Sequence, residues 1–313
     1  MATRGSKGKL TRQQRLILTI VSGVLVLILI VTGAVTKFYL DVSHSVHNTY
    51  EAVERQKTSQ KNTIDFTERE PFSVLLLGVD TGELGRTEQG RSDAMMVATV
   101  NPAKGKTTFV SIARDTYVDI VGYGTTDKIN HAYAFGGAGM AMDTVESYLG
   151  IPIDHYAVVN MKGIKELVDA VGGIEVLNEQ QFENLGHTYD FGKISLTSDN
   201  VLGYTNMRYD DPNGDYGRQA RQRQILKAIA QSLLTIDGVG KYQEILNAME
   251  GNLKTDLSFA EMETIALEYR PAFQEIKQDQ LQGTGFMQYG VSYQTISTEE
   301  LTRVQDELKD QLN

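Results

Sequence analysis

The longest hydrophobic feature of the chain comes first and is uninterrupted. From Leu16 to Val35 it reads LILTIVSGVLVLILIVTGAV, twenty residues without a charge. A helix of that length crosses a hydrocarbon core of about 30 Å. The run has no polar face, unlike a helix packed on a soluble core. Arg4, Lys7, Lys9, Arg12 and Arg15 precede it with no acidic residue among them, and positive flanks stay cytoplasmic. The pattern predicts a cytoplasmic tail over 1–15, a transmembrane helix over 16–36 and an extracellular remainder: a single-pass, type II protein of the cell membrane. A cleaved signal peptide is the competing reading. Its apolar region is usually about 7–15 residues, and Gly33-Ala34-Val35 imitates its cleavage site poorly.

Residues 37–70 are polar with loose helical spacing and predict a juxtamembrane stalk ending at Pro71. Beyond it, over 71–313, short apolar runs alternate with turn signals. Ser73–Val79, Ala94–Val100 and Thr107–Ile112 read as buried strands. Their connections are too short for a helical crossover, which predicts an antiparallel meander. His131–Leu149 reads as a helix interrupted at Gly136-Gly137, His155–Asn160 as a strand, and Met161–Val171 as an amphipathic helix closed by Gly172-Gly173. A short strand is expected at Ile174–Val176, then an irregular stretch to about 205. Asp215–Leu234 reads as a strong helix. Further helices are expected near 240–250, 258–269 and from Glu299, with strands at Gln274–Gln282 and Val291–Ile296. The fold class is α/β: a mixed central β-sheet containing the meander, flanked by helices.

Charge sharpens this picture. The chain carries 30 basic and 40 acidic residues. Six of the basic ones lie at or before Lys37, leaving 24 against 40, a formal charge of −16. Nucleic acid is not the partner of such a surface. An anionic ligand must then be held by local basic clusters. The absence of cysteine excludes disulfides, thiolate metal sites and cysteine nucleophiles.

Two basic clusters stand out. In a meander, the end of strand one, the start of strand two and the end of strand three share one edge. Asp80, Arg91, Asp93, Arg114 and Asp115 are therefore brought together. One reading is a site for a divalent cation and an anion, because carboxylates suit Mg²⁺ or Mn²⁺ alongside substrate phosphates. The other is a rim of exposed ion pairs. The second cluster is RYDDPNGDYGRQARQRQ over 208–224. Pro212-Asn213-Gly214 forms a turn and Asp215 is a candidate N-cap. Arg218, Arg221, Gln222 and Ile225 then share one helical face. Arginine in the first turns of a helix opposes the macrodipole unless an anion is bound there. The alternative is a structural network with Asp210, Asp211 and Asp215. Lys128, in DKINH, either contacts phosphate or serves the surface.

At these residues the chain resembles the LytR–CpsA–Psr family of Gram-positive cell-envelope proteins. The matching segments are LLLGVDTGE, RSDAMMVATVNP, SIARDTYVDI, DKINHAYAFGG, HYAVVNMKGIKELVDAVGGIEV and MRYDDPNGDYGRQARQRQ, in order over about 75–224. The resemblance implies transfer of a glycopolymer (teichoic acid or capsular polysaccharide) from an undecaprenyl-pyrophosphate carrier to peptidoglycan. By motif, Asp80 and Asp93 match metal-associated aspartates. Arg91, Arg114, Arg208, Arg218 and Gln222 match positions around the pyrophosphate, with Arg221 and Lys128 as further candidates. The family fold implies an apolar tunnel for the polyprenyl chain. In the mechanism that follows, Asp80, Asp93 and Arg114 are the catalytic candidates and Asp93 the candidate base. Two positions depart from the family pattern: Ala113 stands where proline is common, and Asn206 where many members carry arginine. A non-catalytic envelope regulator or a lipid-binding receptor is the alternative from a different class.

Overall fold

The computed structural model describes residues 49–55, 64–80, 90–235, 245 and 248–313. The expected transmembrane helix, the polar loop after Asp80 and most of the helix expected near 240–250 lie outside them. Among the described residues no helix is long and apolar enough to cross a membrane.

The meander forms as the apolar runs dictate. β1 (Phe72–Val79), β2 (Ser92–Asn101) and β3 (Lys106–Ile112) pair antiparallel in sequence. β6 (His155–Asn160) adds parallel to β1 after a helical crossover, α1 (His131–Leu149). β11 (Leu253–Thr255) and β12 (Glu275–Gln280) complete a six-stranded mixed sheet in the order β11-β6-β1-β2-β3-β12.

Both sheet faces are covered, so the strands read as nearly continuous apolar runs. Alternation assigns the faces. Leu75, Leu77 and Val79 of β1, with Met95 and Val97 of β2, pack on one side against α1 and the C-terminal helix α5 (Thr298–Leu312). On the other side, one end of the sheet buries Phe72, Val74 and Val100 with Phe66 and Tyr269. The rest of that face looks toward α2 (Met161–Ala170), α3 (Val201–Asn206) and α4 (Asp215–Thr235). α2 is capped by Asn160, whose side chain accepts from the Gly163 amide at 2.7 Å.

The helix expected at 131–149 is kinked where the double glycine stands: Gly136 and Gly137 leave helical geometry. The stretch expected to be irregular up to 205 contains short strands β7 (Ile174–Asn178), β8 (Phe182–Asn184), β9 (His187–Tyr189) and β10 (Gly192–Leu196). They share a second core with α2, α3 and α4. Two hairpins were also not expected. One is β4 (Tyr117–Ile120) with β5 (Thr125–Lys128), and the other joins β13 (Gly283–Gln288) to the expected strand β14 (Val291–Ile296).

Part of the segment expected as a stalk is built into the domain. Arg55 donates to Asp143 at 2.7 Å, to Glu146 at 2.9 Å and to the Ile153 carbonyl at 2.8 Å. The chain passes so close over α1 that a Cβ on Gly139 would fall 2.3 Å from the Glu54 carbonyl oxygen. Phe66 is buried against Phe72 and Tyr269.

Candidate functional site

A cavity lies between the sheet and α4, enclosing about 1090 Å³ of empty space with the solvent at its mouth included. Its floor is Leu76, Gly78, Ala94 and Met96 of the meander with Ala157 and Val159 of β6. Its roof is Ile164 and Leu167 of α2, Leu202 of α3, and Ile225, Leu226 and Ile229 of α4. The lining is almost wholly aliphatic except at one end, where Asp80, Asp93, Thr205, Asn206, Arg218 and Gln222 gather. The floor is kept low by small residues: a Cβ on Gly78 would lie 2.9 Å from that of Ala94.

Asp93 reaches this end through an irregularity. Gly78 faces Ala94 and Val79 faces Ser92, so the pairing register passes over Asp93. In a regular strand Asp93 and Ala94 point to opposite faces; a bulge re-aims one of them. Here both line the same cavity.

The charged residues form a connected set. Arg114 donates to Asp93 at 2.7 Å and lies 3.9 Å from Asp115. Asp115 in turn holds Lys128 at 2.7 Å. From the opposite wall, Arg218 donates to the Asp93 carbonyl at 3.3 Å and pairs with Asp215 at 2.6 Å. Asp215 Oδ1 is shared with Arg208 Nε at 3.8 Å, while Oδ2 accepts from Gln219 at 2.9 Å. Asp215 is the first residue of α4 and not, as expected, the residue before it. Gln222 follows Arg218 by one helical turn and lines the cavity. Arg91 is exposed just ahead of β2.

The electrostatics favour an anion at the mouth. Burial pushes the Arg218 guanidinium below its ordinary value, Asp215 opposes this, and Arg114 and Arg208 add to the depression. A buried cation among cations gains from a bound anion. At Arg114 burial also acts downward, but Asp93, Asp115 and Asp215 outweigh it and the net shift is up.

Two of the arginines turn elsewhere. Arg221 does not line the cavity; it pairs with Asp211 at 2.7 Å and donates to the Met207 carbonyl. Arg223 donates to Ser111 at 2.8 Å and Gln280 at 3.0 Å, and burial pushes it down to about 10. Asn206 itself stands at the cavity's polar end. Ala113, at the other departure from the family pattern, accepts from the Thr116 amide at 3.0 Å through its carbonyl and opens the turn that carries Arg114 and Asp115. Lys128 joins the network through Asp115 rather than at the cavity wall. The sequence marks Asp215 as a cap or a neutralising charge; its placement between Arg208 and Arg218 is a tertiary fact.

Among the described residues no three His, Cys, Asp or Glu side chains cluster to make an all-protein metal cage. Asp80 and Asp93 are two carboxylates at one mouth. Such a donor set suits a hard divalent cation that takes its remaining ligands from water and phosphate.

An aliphatic cavity closed at one end by arginines, aspartates and amides defines a protein built to hold an amphiphile with an anionic head. The chain belongs to the LytR_cpsA_psr family, whose model matches residues 36–310. It is 62% identical over 290 residues to the polyisoprenyl-teichoic acid–peptidoglycan teichoic acid transferase TagU of Enterococcus faecalis, covering 93% of this chain and 95% of that one. The crystal structure of Bacillus subtilis TagU is 39% identical and superposes with a TM-score of 0.63, covering 78% of this chain and 97% of that one. A structure of TagT bound to LIIa-WTA, 28% identical, superposes with a TM-score of 0.70 over 84% of this chain and 99% of that one.

Proposed function

We propose that this protein transfers a teichoic-acid-type glycopolymer from a polyisoprenyl-pyrophosphate carrier to peptidoglycan in cell-wall biogenesis. The observation that carries this reading is the junction of the aliphatic cavity with the Arg114–Asp93–Arg218 cluster. The cavity takes the hydrocarbon of the carrier, and burial of that chain supplies binding energy at about 25 cal/mol per Å². The pyrophosphate then lies at the mouth, within the field of Arg114, Arg208, Arg218 and Arg91 and beside the Gln222 amide. Relatives named for this transfer support the assignment.

The chemistry is phosphoryl transfer, in which positioning and charge neutralisation do most of the work. A peptidoglycan hydroxyl attacks the phosphorus that carries the glycopolymer. The new P–O bond forms as the bond to the distal phosphate breaks, and polyisoprenyl phosphate leaves. The hydroxyl proton passes to an aspartate at the mouth, for which Asp93 is the candidate. Asp80 and Asp93 would hold Mg²⁺ or Mn²⁺, which neutralises phosphate charge when bound. Arg114, which pairs with Asp93 at the mouth, would supply further donors to phosphate oxygens. Arg218 faces it from α4, and the two guanidiniums match the spread of charge over the non-bridging oxygens.

The N-terminal apolar run fits this role as a membrane anchor with the domain outside the cell. A tether in the bilayer that holds the lipid-linked donor raises the effective concentration of one for the other.

The test is reconstitution of the full-length protein in detergent with a lipid-pyrophosphate glycopolymer, Mg²⁺ and peptidoglycan. A transferase yields polymer covalently attached to the wall and one polyisoprenyl phosphate per transfer. Saturable binding with no covalent product favours the receptor reading.

A further inference from the structure

Arg221 lies in the same helical stretch as Arg218 and Gln222, yet it points away from the cavity. Three residues along a helix carry the side chain about 300° round the axis. That leaves Arg221 on the flank of α4 beside the 207–214 loop. Its pair with Asp211 is buried, the two side chains 8% and 3% exposed. A second guanidinium nitrogen donates to the carbonyl of Met207. The rings of Phe182 and Tyr204 stand 5.3 and 6.0 Å from the guanidinium carbon. Asp211 in turn shapes the loop. Its Oδ1 accepts from the Asn213 amide at 2.7 Å and its carbonyl accepts from the Gly214 amide at 2.9 Å. The same carboxylate lies against α4 at Gly217, where a Cβ would fall 1.8 Å from Asp211 Oδ2. One arginine therefore grips the loop at Met207 and at Asp211, on either side of Arg208, and the loop then delivers Asp215.

We propose that Arg221, Asp211 and Gly217 form a clamp that places Arg208 and Asp215 at the head-group site, with Arg221 a positioning residue and not a phosphate ligand. The proposal rests on the reading that Arg208 and Arg218 bind the pyrophosphate. The guanidinium suits the task because its planar fork bonds a carboxylate and a carbonyl at once in fixed geometry; an ammonium does not reproduce this. Glycine at 217 is required because only a bare Cα lets the carboxylate lie on the helix.

The test uses the full-length protein in detergent with two probes, geranylgeranyl pyrophosphate and the alcohol geranylgeraniol, which share the chain and differ in the head. The variants are Gly217→Ala, which changes no charge, Arg221→Lys, Arg208→Ala and the double variant Gly217→Ala/Arg208→Ala. Each single variant should weaken pyrophosphate binding roughly tenfold and leave alcohol binding nearly unchanged; Gly217→Ala and Arg221→Lys disturb a buried ion pair and should also lower the melting temperature, so retained alcohol binding is the control that the lipid cavity is intact. In the double variant the second change should cost less than about twofold, because both act through one group. Fully additive losses overturn the clamp, as does equal loss of both probes in Arg221→Lys. Loss in Arg221→Lys with none in Gly217→Ala makes Arg221 a direct ligand and also overturns it. If Arg208→Ala binds pyrophosphate as the parent does, the head-group reading fails and the clamp with it. If Arg208→Ala loses affinity while Gly217→Ala does not, only the clamp fails.

Discussion

Arg114 and Asp93 meet at 2.7 Å where the end of β3 and the start of β2 share an edge, and Asp93 is the residue that the β1–β2 pairing register passes over. Each is the other's hydrogen-bonded partner. If Arg114 donates to the head group as proposed, Arg114→Ala should lower transfer by about 100-fold or more. Arg114→Lys keeps the charge and loses the fork, so it should recover only part of that. Release of polyisoprenyl phosphate measures both. Unchanged release in Arg114→Ala removes this residue from the mechanism.

The cavity floor makes a separate prediction. Gly78 and Ala94 are cross-strand neighbours and both line it. Ala94→Leu places three more carbons in the cavity proposed to take the hydrocarbon chain. Affinity for a long polyisoprenyl pyrophosphate should fall roughly tenfold, while a short-chain pyrophosphate binds nearly as before. A comparison of Kd for the two chain lengths decides it.

The Arg55 contacts predict that the segment before the sheet contributes to stability. Asp143 and Glu146 are buried, and Arg55 is the cation between them. Removing the cation from two buried carboxylates costs about 3 kcal/mol. Arg55→Ala should then lower Tm by roughly 6–12 °C for a domain of this size. Arg55→Met combined with Asp143→Asn and Glu146→Gln should recover much of the loss, measured by thermal unfolding.

Asp154 supplies a pH dependence. Burial raises its carboxyl above the ordinary value, against the lowering effect of hydrogen bonds from the Ser73 amide and hydroxyl. A folded state that holds this proton more tightly than the unfolded chain gains stability at low pH. That contribution is complete below the unfolded value and is lost as pH rises through the higher folded one. Asp154→Asn keeps an acceptor oxygen and has no proton to lose. Its stability relative to the parent should be greatest near pH 7 and should shrink or reverse toward about pH 4. Urea midpoints of both proteins at the two pH values test the sign.

Local pattern was enough to place the meander. The apolar runs give β1, β2 and β3 to within a residue or two, and short connections between strands leave antiparallel pairing as the simplest arrangement. Once that topology is set, Asp80, Asp93 and Arg114 must share an edge. The kink in α1 is equally local, since two adjacent glycines weaken a helix wherever they occur.

What tertiary structure alone decided was direction and depth. Arg218 and Arg221 are the same residue type three positions apart, and spacing put them on one face. Packing separates them: Arg218 looks into the cavity beside Asp93, and Arg221 turns to Asp211 because Gly217 lets that carboxylate lie on the helix. The bulge at Asp93 is likewise invisible in the pattern, because alternation sends neighbouring side chains to opposite faces and one unpaired residue reverses the assignment. The tunnel has no motif of its own. It is the gap between a sheet face of small and aliphatic residues and a helix far along the chain from the meander, and such a gap exists only when the two are brought together.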